Sequence, residues 1–175
     1  MSVQFLSTEL DKWDEVSADA LVLTFFADER PLRGAAGLAD WRLCGRISRL
    51  VKKQRATGEV GEQILMPPGG RLPFPSLFVF GLGQIDGFSE GSYREQVQRI
   101  LAVLDAAKIK SFALQPPGRA TGLIAARRAL EIWMEETEKA GSDLETYIVD
   151  TPGAQKEMAD ILHAYQRRAA AKRNN

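Results

Sequence analysis

Two short, nearly continuous apolar runs constrain this chain most: Ala20 to Phe26 (ALVLTFF) and Leu77 to Leu82 (LFVFGL), separated by a Gly/Ala-rich turn and an amphipathic stretch. Both are too short for buried helices and rich in β-formers. They lack the polar alternation of a strand with one wet face, so they read as strands covered on both sides. Weaker strands are predicted at Val3 to Ser7, Gln63 to Met66, Ser111 to Gln115 and Thr146 to Asp150. Between them apolar residues recur with helical spacing. One stripe is Leu43, Ile47, Leu50 and Val51, and a second is Val97, Ile100, Leu101 and Leu104. A third runs through Leu123, Ala126, Leu130, Trp133, Met134 and Thr137, and the last through Met158, Ile161, Leu162 and Tyr165. Strands alternating with such helices predict an α/β fold, a three-layer αβα sandwich with a mixed, mostly parallel sheet. The mixture is expected at Gln63 to Met66 and Leu77 to Leu82, because a parallel crossover needs about a dozen residues and a helix, and only a loop joins them.

Punctuation supports these boundaries. Ser92 with Glu95 has the spacing of a capping box, and Thr151 followed by Pro152 offers a capping hydroxyl and then a first-turn proline. Pro67, Pro68, Gly69, Gly70, Pro73 and Pro75 predict a projecting loop. No repeat or linker divides the chain, so residues 1–175 are expected to form one domain, with a basic tail from about 167 to 175 fraying beyond the last helix.

Composition narrows the partners. Lys plus Arg and Asp plus Glu each number 23, so no global field draws in nucleic acid or an anionic membrane. The lone Cys44 can form no internal disulfide, which fits a reducing, cytoplasmic setting. No stretch approaches the roughly 18 apolar residues of a membrane span, and the N-terminus has no export pattern.

Few residues invite chemistry. The loop Arg30 to Asp40 contains Gly34, Ala35, Ala36 and Gly37, small residues that would let backbone N–H groups approach an anion at a helix start, or simply let the helix pack closely on the strand. Gly81, Gly83 and Gly87 are spaced GxGxxxG and not as the dinucleotide fingerprint, and are read as the end of a core strand. Glu135, Glu136 and Glu138 read as a solvated helix face, with Glu135 and Lys139 as an i,i+4 pair. His163 has no partner that spacing can supply, and Cys44 is read as a packed small residue. Arg42, Arg46, Arg49, Lys52 and Lys53, with Arg167, Arg168, Lys172 and Arg173, could meet phosphates.

Several letters carry a family resemblance. Asp19 to Val22 (DALV), Val79 to Gly83 (VFGLG) and Lys110 to Leu114 (KSFAL), in this order of strands and helices, resemble the N-terminal domain of the leucyl aminopeptidases, a two-metal peptidase family. The resemblance implies a macro-domain-like fold with catalysis in a separate C-terminal domain. The family's metal-binding lysine and carboxylates, including an Asn-Thr-Asp-Ala-Glu-Gly-Arg segment, have no counterpart here. No catalytic residue, metal or cofactor is therefore expected. The chain ends at Asn175, and a free-standing N-domain is expected to lack peptidase activity. The leading expectation is a non-catalytic domain acting in protein interaction, assembly or regulation, with a protein partner or a homo-oligomer. Trp13, Trp41 and Phe74 are candidate anchors, although Trp41 is assigned to the domain's own core.

The alternative is a macro-like module for ADP-ribose or a related nucleotide, using Glu9, Asp19, Gly34, Ala35, Ala36 and Gly37. Two departures weaken it. Leu23 to Phe26 stand where macro domains have Asn-Ala-Ala-Asn, and Thr8-Glu9-Leu10 where they have Gly-Asp-Ile. A second alternative, a DNA-binding accessory protein, follows from the basic residues and from the DNA binding of some bacterial leucyl aminopeptidases. The zero net charge argues against it.

Overall fold

The computed structural model describes residues 2–173, with side chains through Arg167. All six expected strands form: β1 (Ser2–Leu6), β2 (Ala20–Phe25), β3 (Gln63–Met66), β4 (Ser76–Gly81), β5 (Ser111–Leu114) and β6 (Glu145–Val149). They build one sheet in the order β1-β6-β5-β2-β4-β3. Every neighbouring pair is parallel except β3 with β4, which is antiparallel with Gln63 opposite Phe80. The mixed sheet is thus as the loop length required.

Strand alternation sends successive side chains to opposite faces, and each face gathers its own core. Val22, Phe78, Phe80, Phe112, Leu114 and Ile148 point to a layer made of α4 (Glu90–Ala106), α5 (Ala126–Lys139) and α6 (Pro152–Arg173). Leu21, Leu23, Phe25, Leu77, Val79 and Val149 face α1 (Leu10–Trp13), α2 (Gly34–Arg42) and α3 (Arg46–Lys52). The result is the expected three-layer sandwich.

Local corrections have local causes. The stripe Leu43 to Val51 is not one helix, since Cys44 (φ 54°) and Gly45 (φ 74°) turn left-handed and separate α2 from α3. Leu43 and Ile47 are nevertheless both buried, so the apolar rhythm runs across the break. Helix α4 is capped by Ser89, whose hydroxyl accepts from the Ser92 N–H at 3.2 Å, and not by Ser92 with Glu95. Helix α6 starts as expected at Pro152, where the Ala154 N–H donates to Thr151 Oγ1 at 3.4 Å. It continues to Arg173, past the point where the tail was expected to fray; Asn174 and Asn175 lie outside the described residues. The proline-rich loop does not simply project, because Leu72 and Phe74 fold back into the α1–α3 core. Phe74 meets Trp13 edge to face at 6.3 Å between centroids.

Candidate functional site

The connection after β2 runs over one face of the sheet and the connection after β5 over the other. This leaves a crevice at the carboxyl ends of these adjacent strands, where ligands of open α/β sheets bind. Helix α2 starts at its edge. Gly34 occupies the left-handed region (φ 54°), and a Cβ there would overlap Gln115 Oε1. The position therefore needs glycine. Gln115 Oε1 accepts the Ala35 N–H at 2.7 Å, so a side chain from the end of β5 caps α2 across 80 residues of sequence. Nearby, the buried Glu29 carboxylate accepts the N–H groups of Phe26 at 3.1 Å and Arg33 at 2.8 Å. Burial raises its pKa, against the lowering effect of those two bonds and of Arg33 and Arg30. Between Glu29, Gln115, Ala36 and Gly118 there remains a cavity of about 10 Å³, room for roughly one water.

Outside this filled crevice lies an open groove of about 510 Å³, bordered by Thr8, Gly34, Gly37, Gln115, Arg119 and Asp150. Its charged pair is largely buried. Arg119 Nε donates to Asp150 Oδ2 at 2.8 Å and Nη1 to the Ile124 carbonyl at 2.8 Å, while the Thr151 N–H donates to Asp150 Oδ1 at 2.8 Å. Chemically, the groove offers a guanidinium already held by a carboxylate and a helix start already capped.

The residues singled out from sequence do not converge on one place. Gly34 and Gly37 border the groove, and Ala35 and Ala36 line the small cavity. Glu9 is exposed beyond β1, its own N–H bonded to Ser7 Oγ at 3.1 Å; its neighbour Thr8 borders the groove. Asp19 lies at the opposite, amino end of the sheet. Its carboxylate accepts from the Ser111 N–H and Oγ, each at 2.9 Å, and from the Lys110 N–H at 3.1 Å, tying β2 to β5. These bonds, the Ser111 N–H first, hold its pKa below the usual value. A Cβ at Gly81 would run into the backbone of Gly58 and Glu59, so that glycine permits close chain packing.

The acidic face of α5 is tied down more firmly than expected. Lys139 pairs with Glu136 at 2.7 Å and not with Glu135, which instead meets Arg94 at 2.9 Å. Glu136 is only 3% exposed and also bonds Gln98 and Arg94. Lys139, then Gln98, holds its pKa down to about 2. His163 is exposed on α6. Among the described residues no group of three or more His, Cys, Asp or Glu side chains is placed to hold a metal ion.

Aromatic anchors sort differently from expectation. Trp13 and Phe74 are buried, at 0% and 1% exposure, whereas Trp41 is 75% exposed. Trp13 is drawn in because its indole N–H reaches the Ser7 carbonyl at 2.8 Å. Trp41 borders a groove of about 720 Å³ with Pro31, Leu32, Cys44, Ser48 and Arg71. Cys44 is exposed, not packed, and its Sγ lies 3.2 Å from Arg71 Nη1. Asp40 and Arg42 line the groove as well, and α3 adds further cations nearby in sequence. Arg46 donates to the Pro67 carbonyl at 2.8 Å and Arg49 to the Cys44 carbonyl at 2.6 Å, and among the described residues neither makes a salt bridge. Sequence reasoning missed Glu29, Gln115, Arg119 and Asp150. Gln115, Arg119 and Asp150 work through partners brought close by the fold, whereas Glu29 bonds backbone N–H groups within four positions of itself.

Comparison with known proteins places this geometry. The sequence model of the cytosol aminopeptidase family, N-terminal domain, matches residues 22–159. A probable cytosol aminopeptidase of Alkaliphilus oremlandii is 26% identical over 140 residues, covering 80% of this chain and 27% of its own length. One from Alkaliphilus metalliredigens is 24% identical over 108 residues, 62% of this chain and 22% of its own. The chain thus spans about a quarter of the length of the curated relatives it matches. Among solved structures, the macrodomain of Thermus aquaticus DarG superposes with a TM-score of 0.64 at 18% identity, covering 85% of this chain and 97% of its own. The Trypanosoma brucei macrodomain in complex with ADP gives 0.67 at 15%, covering 92% and 69%. A tomato leucine aminopeptidase variant gives 0.61 at 16%, covering 91% of this chain and 35% of its own.

Proposed function

The chain belongs to the cytosol aminopeptidase N-terminal domain family, and from that premise we propose that it serves as a non-catalytic domain of protein contact, assembling with or regulating other subunits in the cytoplasm. One observation carries the reading: Trp41 is 75% exposed beside a groove of about 720 Å³ with cations at its edge. Buried aromatic anchors supply much of the affinity at interfaces, and an indole left in water costs free energy that a partner recovers. The filled crevice points the same way. The Ala35 N–H, a donor an anion at the α2 start would use, is already taken by Gln115.

A second reading rests on the open groove of about 510 Å³ beside Arg119 and Asp150. A macrodomain of the same fold is described in complex with ADP-ribose, and there a nucleotide is the ligand. Thermal unfolding in the presence of ADP, ADP-ribose and other nucleotides separates the two. A ligand at 100 times its Kd stabilises by about 2.7 kcal/mol. No nucleotide is expected to shift the transition, while the chain is expected to associate saturably with itself or with a cytosol aminopeptidase catalytic domain, and Trp41→Ala to weaken that association at least tenfold. A nucleotide shift with no association would replace the contact reading. Metal-dependent release of amino acids from peptides by the purified chain would overturn its non-catalytic half.

A further inference from the structure

The face carrying Trp41 is electrically two-sided. At one end, Glu9, Asp11, Asp14 and Glu15 meet Lys12, which pairs with Glu15 at 2.8 Å, and Arg42, which pairs with Asp14, so this end keeps a net negative charge; the four carboxylates and Lys12 are exposed. At the other, no carboxylate occurs from Trp41 to Gly58, while Arg46, Arg49, Lys52, Lys53 and Arg55 do. Successive helical positions differ by about 100°, so Asp40 and Arg42 leave α2 on opposite sides and Trp41 between them. Arg42 reaches α1, bonding the Leu10 carbonyl at 3.0 Å and Asp14. Asp40 reaches α3, accepting the Ile47 N–H at 2.7 Å and the Ser48 N–H at 3.1 Å. The exposed indole therefore stands between an acidic and a basic flank.

We propose that a second copy of this chain docks on this face about a two-fold axis beside Trp41, the acidic α1 of each copy against the basic α3 of the other. This rests on the contact reading above and names its partner. A two-fold interface must be complementary to itself, which a patch of uniform sign cannot be. Here the rotation superposes acid on base twice, and it brings each Trp41 to the groove of the other copy. A nucleic acid would meet the carboxylates of α1 as well as the cations of α3, so its phosphates fit only half of the face.

Sedimentation equilibrium of the full chain, over a range of concentration and salt, tests this. A mass twice 19.3 kDa is expected, weakening as salt rises. Trp41→Ala should raise the dimer Kd at least tenfold while leaving the unfolding transition of the monomer in place. Lys52→Glu with Lys53→Glu should weaken it similarly, and adding Asp11→Lys with Glu15→Lys should restore it, a rescue that a merely destabilised fold does not give. A mass of 19.3 kDa at every concentration overturns the two-fold dimer, and the contact reading then stands or falls on binding to the aminopeptidase catalytic domain. A dimer indifferent to both Trp41 and the charge reversals also overturns it, placing self-association elsewhere. Saturable binding of a labelled oligonucleotide that Lys52→Glu with Lys53→Glu abolishes, without a dimer, would assign the face to nucleic acid.

Discussion

The two helical layers covering the sheet use the same kinds of charged residues to different ends. In the α4–α6 layer cations meet carboxylates: Arg94 bonds Glu135 and Glu136, Arg128 bonds Glu90 and Glu131, and Lys139 bonds Glu136. The Arg94 bonds and the Arg128–Glu90 bond join α4 to α5, and the other two lie along α5. In the α2–α3 layer Arg46 and Arg49 meet only backbone carbonyls, so their charge remains directed at the solvent. A pair of exposed charges contributes little by itself, but a network fixes neighbouring helices relative to one another. The first layer is thus laced by ion pairs between and along its helices, while in the second Arg42 pairs with Asp14 and the cations of α3 pair with no carboxylate among the described residues. Apolar surface divides likewise. Trp133 of α5 is fully buried against Phe112, at 5.8 Å between ring centroids, whereas Trp41 of α2 is in water.

The two tryptophans provide the largest test of this contrast. Trp133→Ala should cost about 3–5 kcal/mol, as expected for removing a large buried aromatic. Trp41→Ala should stay within about 0.5 kcal/mol, because at 75% exposure the indole leaves no cavity behind. Urea unfolding of the monomer measures both. A loss above about 2 kcal/mol for Trp41→Ala would make it a structural residue and dissolve the contrast between the layers.

The next test compares two arginines. Arg119→Ala leaves the Asp150 carboxylate, whose side chain is 3% exposed, without its cation, and should cost about 3 kcal/mol. Arg49→Ala removes one bond to the Cys44 carbonyl at the surface and should cost less than about 0.5 kcal/mol. Equal losses in urea unfolding would show that the α2–α3 cations hold the fold together as the buried pair does.

Which of these features sequence reveals depends on the range of the interaction behind each. All six strands are legible because a continuous run of β-formers is a local property, and the β3–β4 antiparallel pair because loop length is one too. The break at Cys44 is hidden, since Leu43 and Ile47 keep the apolar rhythm across it. Letters alone do not separate Trp13 from Trp41. What buries the first is the Ser7 carbonyl and Phe74, the latter 61 positions along the chain. The spacing of Ser92 and Glu95 points to the right turn but the wrong cap, since Ser89 accepts the Ser92 N–H, while the α2 cap, Gln115, has no local signature. The candidate site was legible to the same degree. Gly34 and Gly37 could be picked out from a Gly/Ala-rich turn, but Arg119 and Asp150 become a pair only when β5 and β6 lie side by side.

The smallest expected effect is a pH dependence confined to one layer. Glu136 is held down to about 2 by Lys139, then Gln98, with Arg94 adding to them. Its ordinary value is about 4.3. A carboxylate whose folded pKa lies below its unfolded one binds fewer protons in the native state, so it stabilises the fold above about pH 4.3, and this stabilisation fades as pH falls from there toward 2. Glu136→Gln should therefore unfold at lower urea than the parent chain at pH 7, with the gap closing as pH falls through that window. Arg49 bonds the Cys44 carbonyl and pairs with no carboxylate among the described residues, so the gap between Arg49→Gln and the parent should stay flat over the same range. A Glu136→Gln gap that persists undiminished at pH 2 would show that the side chain acts through packing and not charge, and the ion network of the α4–α6 layer would lose its central member.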